Sequence, residues 1–150
     1  MGFDTTATHA IFFIAAVVVA SVLTGILSVS VQDLQAGIES RGENLKDELQ
    51  TDIEIINDER MMPYNSTTKT LTVYAKNTGD TNLDPGSCTV IVDGIIYTTF
   101  DYTLENNNTL WKPTTVLTIN VVLTQFELGN DHILKLTTEN GVSDEIEFYL

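Results

Sequence analysis

The sequence of 150 residues has very few of the groups on which protein chemistry usually depends. It contains one cysteine, Cys88, so an internal disulfide is impossible, and two histidines, His9 and His132, neither at a metal-ligand spacing from a partner. It has no glycine-rich phosphate loop and no serine in a nucleophile elbow. We therefore predict that the chain is not an enzyme and that it has no cofactor.

Basic residues are also scarce. Seven Lys and Arg stand against 21 Asp and Glu, which gives a formal net charge of -14. Nucleic acids and anionic lipid headgroups attract clustered Lys or Arg, and the chain has no such cluster. The composition predicts that nucleic acid is not a partner.

Charge of either sign is absent from residues 10–31, which form the longest apolar run of the chain. At about 1.5 Å per residue, a helix of this length reaches about 33 Å and can cross a hydrocarbon core of about 30 Å. The run exceeds the apolar core of a cleaved signal peptide, and no Lys or Arg precedes it. We predict a retained, single-pass transmembrane and assembly helix over residues 1–32, with the C-terminal domain outside the cytoplasm.

Small residues recur along this predicted helix at intervals of four. Ala16 and Ala20 form one such pair, and Ser21 and Gly25 form another. This spacing lets membrane helices approach closely. The four residues are a candidate assembly surface, and the alternative is that they face lipid.

Residues 33–51 keep a helical period but become polar on one side. Apolar residues recur at steps of four and seven, which indicates an amphipathic helical stem. Its apolar face either packs on the chain's own domain or forms a seam with another helix. The residues concerned are Leu34, Ile38, Leu45, Leu49 and Ile53.

From Asp52 onward the apolar period changes to two, and seven or so short strands separated by turn residues follow. Asp93-Gly94 and Asn140-Gly141 are hairpin signals, because type I′ turns need positive φ. We predict an immunoglobulin-like β-sandwich over residues 52–150. Within it, Cys88 reads as a small buried hydrophobe on a strand and Trp111 as a residue that caps the core at a strand end.

The loops of this sandwich hold the remaining candidates. Asp80, Asn82 and Asp84 alternate oxygen ligands as calcium loops do, but a proline stands where such a loop needs glycine, so we favour a plain turn without metal. Asp80 and Asp84, in the 77–86 turn, and residues 105–109 are candidate partner contacts. Asn65 and Asn107 begin Asn-x-Ser/Thr triplets and are glycosylation candidates.

Five segments, taken in order, resemble the archaellar stator family FlaG, also called ArlG. The opening Met1-Gly2-Phe3 is also similar to the sister family FlaF (ArlF). The FlaG-like segments are Thr8-His9-Ala10-Ile11-Phe12-Phe13-Ile14-Ala15-Ala16, Asp52-Ile53-Glu54-Ile55-Ile56-Asn57-Asp58, Leu71-Thr72-Val73-Tyr74-Ala75-Lys76-Asn77-Thr78-Gly79, Val92-Asp93-Gly94 and Thr138-Glu139-Asn140-Gly141-Val142-Ser143-Asp144.

The resemblance implies a mainly β protein with one long N-terminal α-helix, on the type IV pilin-like plan of hydrophobic helix plus β-sandwich. It implies a stator or anchoring component of the archaellum motility machine in the cell membrane, with its sandwich beneath the surface layer. The implied partners are a FlaF-like sister protein, the surface-layer protein and further copies of the chain. The alternatives are an archaellin- or pilin-like filament subunit and a membrane-anchored extracytoplasmic binding module.

Overall fold

The computed structural model describes residues 2–104, 108–124 and 126–150. A 49-residue helix, α1, begins at Gly2 and ends at Gln50. Residues 7–50 of this helix include an 18-residue stretch with a mean hydropathy of 2.7, long and apolar enough to cross a membrane. The large apolar side chains along residues 11–31 are exposed, from 48% at Val17 to 72% at Phe12. This surface is suited to lipid or to other helices, and not to water.

Three of the four hydroxyl groups in residues 10–31 of α1 are bonded within the helix. Ser21, Thr24 and Ser30 each donate their side-chain O–H to the backbone carbonyl four residues earlier, at 2.8, 2.8 and 3.1 Å. Because the hydroxyl protons of these three residues have acceptors inside the helix, Ser21, Thr24 and Ser30 do not oppose burial in an apolar medium.

Residues 53–150 form two antiparallel sheets. The first has the order β1-β3-β7-β6, with β2 also paired to β3, and the second has the order β5-β4-β8-β9. Their strands are β1 Ile53–Ile55, β2 Tyr64–Asn65, β3 Thr70–Asn77, β4 Thr89–Val92, β5 Ile95–Tyr97, β6 Asp101–Leu104, β7 Val116–Val122, β8 Asp131–Thr137 and β9 Ser143–Tyr149.

The core lies between the two sheets and follows the period of two. Alternate residues of the central strands are buried, as the pleat requires. The predicted β-sandwich is confirmed. Cys88, 4% exposed, is buried as predicted, but it lies one residue before β4 and not on a strand. The inward residues of the four central strands are Leu71, Val73, Ala75, Leu117, Ile119, Val121, Val90, Val92, Leu134 and Leu136.

The two predicted hairpins differ in their turns. Asp93 and Gly94 have φ of 50° and 79° between paired Val92 and Ile95, which is the predicted two-residue type I′ turn. At the second hairpin only Gly141, of the two turn residues, has positive φ. There the paired residues Thr137 and Ser143 are joined by the five residues 138–142, and Gly141 N donates to Thr138 O at 3.0 Å. The predicted two-residue type I′ turn is therefore wrong for this hairpin.

Trp111 lies deeper than predicted. It is 0% exposed, its Nε1 donates to Thr115 O at 3.0 Å, and its backbone exchanges hydrogen bonds with Leu83 at 2.8 and 3.0 Å. The side chain is part of the core and does not cap its end. The bond to Thr115 satisfies the indole N–H that burial removes from water.

The helix and the sandwich separate into two compact units, Met1–Glu43 and Asn44–Leu150. We expect a fragment of residues 44–150 to be soluble and to fold without the apolar helix, because the whole sandwich core lies within it. Circular dichroism of the fragment should show mainly β structure. A mostly helical or unfolded spectrum would contradict this expectation.

Candidate contact surfaces

The candidate assembly residues lie on an accessible part of α1. A side chain placed at Gly25 would have no neighbour within 4 Å, and Val22, Ile26, Val29 and Ser30 surround the depression that Gly25 leaves. Ala16, Ala20 and Ser21 are likewise exposed. The surface is therefore available for a second helix, although its role as an assembly surface remains a prediction.

The last turn of α1 belongs to the same compact unit as the sandwich and is bound to it. Asp80 N donates to Gln50 O at 2.8 Å, which satisfies a carbonyl at the helix end. The Thr51 hydroxyl lies 2.6 Å from Asp47 O and 2.8 Å from Thr81 Oγ1, and it accepts from Asn140 Nδ2 at 2.8 Å. We call this set of contacts around Gln50 and Thr51 the junction.

Gly79 is required at the junction for reasons of space. A Cβ built on it would lie within 2.4 Å of Asp52 N and 2.5 Å of Gln50 O, both backbone atoms that cannot rotate away. Gly79 N also donates to Asp52 O at 2.9 Å. The chain can therefore turn against the helix end only with glycine at this position.

Asn77 links the junction to the core. It is 0% exposed; its Nδ2 donates to Thr81 O at 2.8 Å and to Trp111 O at 3.1 Å, and its Oδ1 accepts from Gly79 N at 3.1 Å. Sequence reasoning placed Asn77 in the turn and missed this role. A signal exists: along β3 the inward positions run Leu71, Val73, Ala75, Asn77, and an amide on a core face needs buried partners.

The stem side chains within this unit do not pack on the sandwich. Leu45 and Leu49 are 54% and 77% exposed. The alternative in which this part of the apolar face covers the chain's own domain is therefore wrong for these two residues. A seam with another helix remains a prediction.

Asp80 and Asp84, the two acids of the 77–86 turn, have different structural roles. Asp84 caps the short 3-10 helix Pro85–Ser87: its carboxylate accepts from Gly86 N at 3.0 Å and from Ser87 Oγ at 2.8 Å. Asp80 and Asn82 are exposed. In the described part of the chain no three His, Cys, Asp or Glu form a group that could hold a metal ion. Asp80 is thus the acid of this turn best placed to contact a partner.

Cys88 lies beneath the same turn. Burial, and then the negative charges of Glu139 and Asp84, raise the pKa of its thiol to about 12. We expect the folded protein at pH 8 to resist a thiol-specific disulfide reagent and to react fully once unfolded in urea. Rapid labelling of the folded protein would contradict the burial of Cys88.

The raised pKa of Cys88 also makes the stability of the sandwich depend on pH. Since the pKa of the folded thiol exceeds that of the unfolded chain, the free energy of unfolding should fall as the pH rises from about 9 towards 12.

His132 has partners that no recognisable spacing in the sequence indicates. It is buried, its Nδ1 lies 2.7 Å from Asp93 Oδ2, and its Nε2 lies 2.9 Å from Glu127 O. Phe126 stacks on the ring at 4.1 Å between centroids. The contact ties the β4–β5 turn to the start of β8. Sequence spacing gave no indication, because Asp93 and His132 are 39 residues apart.

The glycosylation candidates differ in how far the structure describes them. Asn65 is exposed, and its Oδ1 accepts from the backbone N–H groups of Thr67 and Thr68 at 3.0 and 3.2 Å. Its position is accessible, and its modification remains a prediction. Asn107, and with it most of the candidate contact loop 105–109, lies outside the described residues.

Comparison with known proteins settles the family. The family model for archaeal-type flagellin matches residues 2–148. The chain belongs to the archaeal-type flagellin family. A curated relative in this family, the flagella-related protein G of Methanocaldococcus jannaschii, is 35% identical over 148 residues, covering 93% of this chain and 92% of that protein. The family is non-enzymatic, and the predictions of FlaG-type membership and of no catalytic activity are confirmed by this match.

One solved structure confirms the plan of helix plus sandwich. The chain matches a subunit of the archaeal flagellum of Methanospirillum hungatei with a TM-score of 0.72 at 16% identity, covering 96% of this chain and 92% of that one. The archaellum periplasmic stator protein FlaG from Sulfolobus acidocaldarius matches with a TM-score of 0.49 at 19% identity, covering 65% of this chain and 99% of that one. The first match establishes the archaellin and pilin-like fold of the chain.

Proposed function

We propose that the chain is a membrane-anchored structural component of the archaellum machinery, of stator type, which acts through contacts with other proteins. The observation that carries this proposal is the 35% identity with flagella-related protein G along nearly the whole chain. The family is non-enzymatic, so the protein's function has to arise from its contacts with other proteins and with the membrane.

The helix supports the anchoring part of the proposal. Its large apolar side chains are exposed along residues 11–31, and three of the four hydroxyls in this stretch are bonded internally, so lipid is a favourable surrounding for it. In this proposal the sandwich, which holds 15 of the chain's 21 acids in residues 52–150, lies on the outer side of the cell membrane, beneath the surface layer.

The partners we propose are further copies of the chain, a FlaF-like sister protein and the surface-layer protein. Exposed small residues on α1 suit helix-to-helix contact, and the exposed Asp80 of the 77–86 turn suits contact between sandwiches.

A second candidate function is that of a subunit of the filament itself. It is supported by the similarity of fold, over 96% of the chain, to the archaeal flagellum subunit of Methanospirillum hungatei. Intact mass of the native protein separates the two, because a filament subunit of pilin type has had its leader removed by a peptidase. A native mass that shows the loss of residues beyond Met1 would favour the filament.

The anchoring proposal is tested by flotation of the full chain with lipid vesicles. The variant Val18→Asp/Val22→Asp places two charges in the middle of the apolar run, each costing about 3 kcal/mol in a membrane, and should remain unbound. Ile38→Asp adds a charge to the stem and should float as the wild type does. Equal flotation of all three proteins would contradict the anchor.

We expect Asp80→Ala to weaken binding of the full chain to its sister protein several-fold, without changing the stability of the sandwich by more than about 0.5 kcal/mol. Asp80 is exposed and its side chain caps no helix. Glu54→Ala, an exposed acid on β1, is the matched control. Binding measured by crosslinked pull-down from native membranes that is unchanged in both variants would exclude this turn as the contact.

A further inference from the structure

The strand β5 is one edge of the second sheet, and none of the described residues pairs with its outer side. An uncovered edge presents backbone N–H and C=O groups that can pair with another strand. Proteins usually protect such an edge with charged residues, proline or a covering segment. Residues 94–100 contain neither charge nor proline. β5 is short, with three residues, which limits pairing, but its edge has none of these other protections.

The opposite edge of the same sheet, β9, is protected. Tyr149 N donates to Glu59 O at 3.1 Å, and Asp144 Oδ2 accepts from Ile55 N at 2.7 Å, so the segment 55–59 lies against this strand. Glu145 and Glu147 add charge to it. The two edges of one sheet therefore differ in their capacity to accept a further strand.

Ile96 directs its backbone towards the open edge. Asp93 N donates to Ile133 O on β8 at 3.0 Å. Residues two apart on a strand point their N–H groups to the same side, so the N–H of Ile91 also points to β8 and not to β5. Ile96 lies opposite Ile91 in the β4–β5 register, and its own N–H and C=O therefore point away from β4. Its side chain is 62% exposed.

We propose that two copies of the chain pair antiparallel through their β5 strands, around a twofold axis at Ile96. The N–H and C=O of Ile96 then exchange two hydrogen bonds with those of the second copy, and Ile95 of each copy lies opposite Tyr97 of the other. The two second sheets become one continuous sheet.

A second copy suits this edge because the pairing is self-complementary. Residues 94–100 are uncharged, so antiparallel pairing of two identical segments sets no like charges opposite each other. The same arrangement at β9, centred on Ile146, would set Glu145 against Glu147. A twofold pair uses both open edges completely, and it closes instead of growing into a fibre.

The interface is short, and the net charge of -14 on each copy opposes it. Confinement to one membrane compensates, because tethering raises the effective concentration of one sandwich near another. In this respect the inference rests on the proposed membrane anchor. The pairing itself does not depend on the identity of any other partner.

Cysteine crosslinking of the full chain tests the pairing. In an antiparallel sheet two residues that exchange hydrogen bonds have Cα atoms about 5.5 Å apart, within the range of about 4.4–6.8 Å that a disulfide needs. Under mild oxidation in phosphatidylcholine vesicles, we expect Ile96→Cys to form a disulfide-linked dimer in the majority of the protein. The wild type, whose Cys88 is buried, should stay monomeric on a non-reducing gel.

Two matched variants define the geometry. Ile133→Cys places a thiol on the same outer face of the sheet, on the central strand β8, at 45% exposure. Ile95→Cys is one residue out of register with its own copy. Both should form at least five-fold less dimer than Ile96→Cys. Equal dimer from all three variants, or none from Ile96→Cys, would overturn the proposal.

The crosslink is scored in detergent micelles at high protein concentration as well as in vesicles, and flotation is scored separately. Protein that floats but gives no Ile96 dimer overturns the pairing and leaves the anchor intact. Protein that gives the dimer in micelles but does not float supports the pairing and contradicts the anchor.

Discussion

Replacement of Trp111 by alanine is expected to lower the free energy of unfolding of the sandwich by about 3–5 kcal/mol, because a large aromatic side chain leaves a cavity in the core. Trp111 is 0% exposed and its Nε1 is bonded to Thr115 O. A domain of this size is stable by about 5–15 kcal/mol, so the variant loses a large share of its stability. Urea unfolding of the 44–150 fragment, followed by circular dichroism, measures the loss.

Trp111→Phe is the matched control for this experiment. It keeps most of the apolar volume and removes the indole N–H, so we expect a loss of about 1–2 kcal/mol. A Trp111→Ala loss below about 1 kcal/mol would show that the side chain lies at the rim of the core, as the sequence alone suggested.

Asn77→Ala is expected to have the second largest effect on stability, about 2–4 kcal/mol. The substitution removes the buried amide that donates to Thr81 O and Trp111 O and accepts from Gly79 N. Trp111 O keeps Leu83 N as a donor, whereas Thr81 O loses the donor described for it. Each buried polar group left unpaired costs about 1–3 kcal/mol. The same urea titration measures the change.

Asn57→Ala is a suitable comparison for Asn77→Ala. Asn57 also bonds two backbone groups, Thr72 O and Tyr74 N, at 3.1 and 2.7 Å, but it is only half-buried. Water can replace its bonds, so a loss of about 1 kcal/mol is expected. Equal losses from the two variants would contradict the view that burial makes Asn77 the link between junction and core.

Local patterns predicted much of the fold. The uncharged run 10–31 and the change of period at residue 52 indicated helix and sandwich, because both signals are patterns between near neighbours along the chain. The strands at 64–65 and 101–104 were missed, since the first has two residues and the second has no buried position to create alternation. The depth of Trp111 depends on Leu83, 28 residues away, and local patterning carries no such information.

The contact surfaces were less predictable than the fold. The accessible small residues of α1 were found, because helical spacing alone places them together. Asn77, Gly79 and the residues around Thr51 were not recognised as a junction, because their roles arise from contacts between α1, the 77–86 turn and Asn140. The open edge of β5 likewise depends on strand order, which no single segment encodes.

Complementation of motility tests the central claim, that the chain is an anchored structural part of the archaellum machinery, most directly. Cells that lack the chain should still make filament subunits but should not swim. The full chain should restore swimming, whereas the Val18→Asp/Val22→Asp variant, whose sandwich is unaltered, should not. Normal swimming without the chain, or full restoration by the variant that cannot enter the membrane, would contradict the account.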